Sequence, residues 1–149
     1  MNDVRNEVQY TEWVLPNWTS FLPILAIYPT LWLTFLPINV SAGAWSGVIL
    51  TVVVAALMIA KSARVTIDVD ELYVANARIE RRFIVAADVI SADEGFAARG
   101  RDLDPGAWIH FQGSVKTLVR VWIQDPSDPT PYWLFSTRNP EKIKAILGF

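Results

Sequence analysis

The sequence predicts a membrane α-helical hairpin joined to an α+β domain. Two observations carry this. No Asp, Glu, Lys, Arg or His occurs between Glu12 and Lys61, so Trp13–Ala60 is a 48-residue uncharged run, and 52% of the whole chain is hydrophobic. From Lys61 onward apolar and polar residues alternate at the strand period, and the chain closes on a stretch with helical spacing.

One membrane helix needs about 20 apolar residues, so the uncharged run holds two spans and a turn. Residues 1–17 come first, and VQYTEWVLP alternates apolar and polar groups and stops at Pro16, as a short cytoplasmic segment along the inner membrane surface would. Residues 18–60 form the hairpin. Asn39, Ser41 and Gly43 interrupt the apolar run and divide it into spans at Trp18–Ile38 and Ala44–Ala60. At 1.5 Å rise per residue these reach about 31 and 26 Å. Pro23, Pro29 and Pro37 predict a kinked or broken first helix. Ala42, Gly43, Ala44, Ser46 and Gly47 let the second helix approach it closely. Trp13, Trp18 and Trp45 suit interfacial anchors, and Lys61 and Arg64 directly after the second span put both termini in the cytoplasm. A cleavable signal peptide fits poorly, because the apolar stretch is too long and acids outnumber bases ahead of it. Without an Asp, Glu, Lys, Arg or His side chain between its interfaces, the hairpin can tether and pack but is ill suited to carry protons or ions.

Residues 61–149 read as a cytoplasmic domain of short antiparallel strands. Arg64–Val69, Leu72–Val74, Ala77–Ile79, Phe83–Val85 and Val89–Ser91 are strands or strand pieces. Residues 93–106 form a long polar surface loop, with one helical turn expected at Phe96–Arg99. Trp108–Phe111, Lys116–Gln124 and Pro131–Ser136 resume the strands, and the prolines at 126, 129 and 131 confine DPSDPTP to a connection. Asn139 as N-cap, Pro140 in the first turn and Glu141 behind it start a helix with Ile143, Ile146 and Leu147 as its apolar stripe and Gly148 as its end. Sequential strands and one closing helix have the outline of a pleckstrin-homology-like (PH-like) antiparallel β-sheet or barrel closed by a C-terminal helix.

Cysteine is absent, which removes disulfides, thiolate catalysis and cysteine metal sites, and the single histidine, His110, disfavours haem and multi-histidine centres. No cofactor, metal or catalytic residue is expected. From Lys61 onward twelve basic residues balance twelve acidic ones, so nothing in the overall charge calls for nucleic acid.

With Tyr10, Glu12, Pro16 and Trp18 ahead of the hairpin, GRDLDPGAW at 100–108 and DPSDPTPYWLFSTRNP at 125–140, the chain resembles the bacterial domain of unknown function 3093 family. The resemblance runs end to end, departing at His110-Phe111-Gln112. It implies a two-span protein of the bacterial cytoplasmic (inner) membrane with a PH-like cytoplasmic domain, and transfers no catalytic residue.

Three function classes compete. For an enzyme, Asp104, Asp125, Asp128, Arg138, Ser136, Thr137 and His110 are candidates for an acid–base or phosphate-handling cluster, and turn, cap and core roles explain them better. For a lipid-headgroup module, Arg78, Arg81 and Arg82, with Lys61 and Arg64, are the candidate lipid contacts. The favoured class is a non-enzymatic accessory subunit of a larger bacterial membrane complex, respiratory assemblies included, whose partners are membrane lipids and other integral membrane subunits. Its expected interaction residues are Asp104, Pro105, Asp125, Asp128, Pro129, Pro131, Tyr132 and Arg138, because a proline-stiffened loop loses little entropy on docking.

Overall fold

A computed structural model describes residues 8–149, which divide into two units: Leu15–Ser62, and a second made of the flanking segments up to Val14 and from Ala63 to Phe149.

The first unit is a helical hairpin. A 3-10 turn at Trp18–Phe21 leads into α1 (Leu22–Leu25) and α2 (Ile27–Phe35), with the break at Ala26. Pro29 explains the break, since its ring crowds the carbonyl of Leu25, the last residue of α1, and it has no N–H to donate. Thr30 and Thr34 hydroxyls bond back to the carbonyls of Ala26 and Thr30 at 2.7 and 2.8 Å. The turn is shorter than the sequence implied, and α3 (Val40–Ala60) begins four residues before the expected Ala44. Asn39 is the reason: its Oδ1 accepts from the Ala42 N–H at 3.0 Å and caps the helix, drawing Ser41 and Gly43 inside it. Gly43 and Gly47 are buried, and a Cβ on Gly43 would stand 2.8 Å from Phe35 Cβ, so the close helix approach foreseen from the small residues is present. Trp18–Phe35 and Val40–Ala60 are each long and apolar enough to cross a membrane, with 6% and 11% of those stretches buried within the protein.

The second unit has two four-stranded sheets. Sheet one orders β1 (Tyr10–Val14), β2 (Ala63–Ile67), β3 (Glu71–Val74) and β4 (Ala77–Glu80), all antiparallel. Here the structure departs from the sequence reading. The segment expected to lie apart along the membrane surface is an edge strand of this sheet, pairing from Tyr10↔Ile67 to Val14↔Ala63. Its alternation is that of a half-buried strand, with Tyr10, Glu12 and Val14 facing in.

Sheet two orders β5 (Ile84–Ile90), β7 (Leu118–Ile123), β8 (Tyr132–Ser136) and β6 (Trp108–His110). The two pieces expected at Phe83–Val85 and Val89–Ser91 are one strand with an irregularity between Ile84 and Ala86. Contrary to an all-antiparallel arrangement, β6 runs parallel to β8, because the long segment between β5 and β7 carries it across the sheet before the chain returns. The two sheets remain separate and do not close into a barrel.

The main core lies between the sheets, where Val65, Ile67, Leu72 and Val74 meet Val119, Val121, Trp133 and Phe135. Helix α5 (Pro140–Leu147) adds Ile143 and Leu147 to it and ends on Gly148, whose φ of 92° suits glycine. A second cluster covers the other face of sheet two, where Tyr132, Leu134 and Leu118 are sealed by Ala98 of α4 (Gly95–Arg99) and by Leu103. All five residues of β8 are therefore buried. Close approach is built in at Gly95, where a Cβ would fall 2.8 Å from the Lys116 carbonyl.

Candidate functional site

The connection from β7 to β8 is braced by its own side chains. Asp125 Oδ1 accepts from the Ser127 N–H at 2.8 Å and its hydroxyl at 2.6 Å, and Asp128 Oδ1 accepts from the Thr130 N–H at 2.9 Å and its hydroxyl at 2.6 Å. These are consecutive Asx turns, the local structure that Asp-Pro-Ser-Asp-Pro-Thr favours. The Ser127 hydroxyl and N–H, helped by the charge of Arg82, hold the Asp125 carboxyl below its ordinary range.

The same end of sheet two carries Asp104 and Pro105. The Asp104 N–H donates to the Tyr132 hydroxyl at 2.7 Å, and Asp104 Oδ1 accepts from the Gly106 N–H at 2.7 Å. A Cβ on Gly106 would lie 3.6 Å from Pro131 Cδ, so the two loops touch. Seven of the eight expected interaction residues, Asp104, Pro105, Asp125, Asp128, Pro129, Pro131 and Tyr132, thus gather at one end of the sheet. Arg138 does not join them. Strand β8 separates it from Tyr132 by six residues, about 20 Å of extended chain.

Arg138 belongs to a different constellation, around a buried carboxylate that sequence reasoning missed. Glu12, 9% exposed, accepts from the Tyr10 hydroxyl at 2.9 Å, the Thr137 hydroxyl at 2.5 Å and the Arg138 N–H at 2.9 Å. Thr137 Oγ1 accepts in turn from the Asn139 N–H at 3.1 Å. The Asn139 side chain does not cap α5 as expected; its Nδ2 donates to the Tyr10 hydroxyl at 3.2 Å. Burial and the Glu12 carboxylate push the Tyr10 phenol up to about 12. This network fastens the first strand to the junction of β8 and α5.

The candidate lipid contacts also divide. Arg64 and Arg78 lie on the outer face of sheet one, Arg64 with its guanidinium 5.4 Å from the ring centroid of Trp13. Lys61 is exposed just after α3. Arg81, by contrast, is engaged inside its own unit. Its guanidinium donates to Gln9 Oε1 at 2.9 Å, the Asp68 carbonyl at 3.2 Å and the Ile146 carbonyl at 2.5 Å. Arg82 pairs with Glu80 at 2.8 Å and lies over Phe83.

His110 stacks on Trp108 with centroids 6.0 Å apart, and burial lowers its pKa. The Ser136 hydroxyl accepts from the Gln112 N–H at 3.0 Å. Among the described residues no three His, Asp or Glu side chains are grouped to hold a metal ion. Sequence reasoning also passed over Arg120, which alternates with Val119 and Val121 in the strand expected at Lys116–Gln124. It lies over Tyr132 and Trp122, at 5.0 and 5.6 Å from their centroids, beside a cleft of about 520 Å³.

The fold and these clusters define a two-unit protein with an apolar helical hairpin inserted between the first two strands of a two-sheet domain. The chain belongs to the DUF3093 family, described as a protein of unknown function, whose profile matches residues 9–147. Comparison with curated proteins and with solved structures gave no match.

Proposed function

We propose that this chain is a non-enzymatic integral membrane protein, an accessory subunit that docks its cytoplasmic domain onto a larger bacterial membrane complex. The observation that carries the reading is the braced end of sheet two. Asp125 and Asp128 each use one oxygen to fix the loop, so their chemistry goes into shape, and three prolines stiffen what they hold. A surface formed before docking loses little conformational entropy when it meets a partner.

Membrane insertion is supported by the strand register. Val14 and Ala63 are direct cross-strand partners, so the chain leaves and re-enters one sheet, and a segment that does so crosses a bilayer an even number of times. The nearly unburied apolar helices between them fit two crossings, with both termini on the cytoplasmic face of the inner membrane. Two sheets around a shared core with a C-terminal helix support a PH-like relationship for the domain, with the parallel β6 as its departure.

The test is co-purification from native membranes in mild detergent. Asp125→Ala with Asp128→Ala removes both braces and should loosen the assembly, while the domain stays folded. Unchanged recovery of partners contradicts the interface, and substrate turnover by the purified protein would restore the enzyme class.

A second reading, lipid-headgroup contact, draws on the outer face of sheet one, where Arg64 lies over Trp13 on the two strands that flank the hairpin and Arg78 is exposed on β4. Liposome flotation with and without anionic lipid tests it, and the protein used must retain β1. Failure to bind at any salt concentration removes it.

A further inference from the structure

Among the described residues Arg120 is a charged side chain without a polar partner. Among the described residues it makes no hydrogen bond or ion pair, and its Nε is buried with nothing to donate to. The residue opposite in register is Asp88, a natural ion-pair partner. Yet Asp88 Oδ2 accepts from Trp122 Nε1 at 2.6 Å instead. The other carboxylates of the cleft are also engaged: Glu94 accepts from the Ser91 hydroxyl at 3.0 Å, and Asp102 pairs with Arg101 at 3.1 Å. Tyr132 and Trp122 fix the guanidinium by stacking, and the Tyr132 hydroxyl is bound to the Asp104 N–H. A positioned guanidinium fork with unused donors is matched by a carboxylate. Three carboxylates on the walls repel a dianionic phosphate more than a singly charged carboxylate.

The wall opposite the sheet is α4, whose Ala97 and Ala98 line the cleft. Phe96, which precedes them in α4 and stands outside the cleft lining, is 91% exposed, the most exposed large apolar side chain among the described residues. We propose that this cleft receives a partner protein segment in which an acidic side chain stands beside an apolar one, Arg120 taking the carboxylate and Phe96 the apolar neighbour. The proposal rests on the interaction-subunit reading and gives it a second contact. It lies on the Tyr132 face of sheet two, with Tyr132 linking the cleft to the braced loops.

The test uses the full chain in detergent micelles, following the Arg120 Nε–H resonance. Acetate should shift it in a saturable way and inorganic phosphate should shift it less. A blocked Phe-Glu-Phe peptide should bind about tenfold more tightly than acetate, and its Phe-Gln-Phe counterpart should lose that gain. Arg120→Gln should abolish peptide binding and Arg120→Lys should weaken it, with thermal unfolding checking that both fold. Phe96→Ser, at a solvent-exposed site, should reduce the peptide to acetate-level affinity. No shift with acetate, tighter binding of phosphate, or equal affinity for the Glu and Gln peptides overturns the proposal. Peptide binding alongside unchanged co-purification in the loop variants would instead count against the braced-loop interface alone.

Discussion

Replacing Glu12 by alanine should weaken the domain by about 3 kcal/mol. The carboxylate accepts three hydrogen bonds in a buried site, two of them from the Thr137 hydroxyl, in a residue at 0% exposure, and the Arg138 N–H. Leaving a buried donor unsatisfied costs about 1–3 kcal/mol, so two donors set an upper end near 6 kcal/mol. Relief from burying a carboxylate and entry of water into the vacated space bring the net loss down to about 3 kcal/mol. Glu12→Gln should cost less, about 1–2 kcal/mol, because the amide oxygen can still accept from Arg138 while the hydroxyls of Tyr10 and Thr137 rotate to accept from the new NH2. Urea unfolding followed by tryptophan fluorescence measures both. A Glu12→Ala loss below about 1 kcal/mol, or a coupling to Thr137→Val indistinguishable from zero in a double-mutant cycle, would refute the reasoning.

Other expectations follow from the same contacts. Replacing residues 15–62 by a two-residue Asn-Gly turn should yield a soluble, folded domain, because Val14 and Ala63 are already cross-strand partners, whereas residues 62–149 alone, lacking β1 and Glu12, should unfold more readily; circular dichroism and gel filtration compare them. Gly43→Ala should destabilise the hairpin by about 1–2 kcal/mol through the clash with Phe35, read by thermal unfolding in detergent, and an unchanged melt would remove the close-packing account. The raised Tyr10 pKa stabilises the fold while the phenol is protonated. That contribution is complete below pH 10 and is lost as pH rises from 10 towards 12, a fall of about 2 kcal/mol that Tyr10→Phe should abolish.

Local patterns were legible in the sequence, and long-range partnerships were not. The uncharged run located both helices, Pro23, Pro29 and Pro37 forecast a break in the first, and Asn139-Pro140-Glu141 marked the start of α5 because these signals act within a turn or two of themselves. The strand at Tyr10–Val14 alternates plainly, but its partner lies beyond the whole hairpin, and the bond from Thr137 to Glu12 spans 125 residues. Arg138 sits close in sequence to the proline loop, and five intervening strand residues carry it to the opposite end of the sheet. Tyr132 and Trp133 point to opposite faces as alternation requires, yet both are buried because the segment carrying α4 covers the second face. That covering also makes Arg120 part of the wall of a cleft.

The most direct test of the account is membrane topology. The chain has no cysteine, so single cysteines at Ser41 and Ser127 can be labelled selectively with a membrane-impermeant thiol reagent. Ser41→Cys should react from outside intact spheroplasts, while Ser127→Cys should react only in inverted vesicles. Labelling of both positions from the same face, or release of the chain from membranes by alkaline wash, would contradict it.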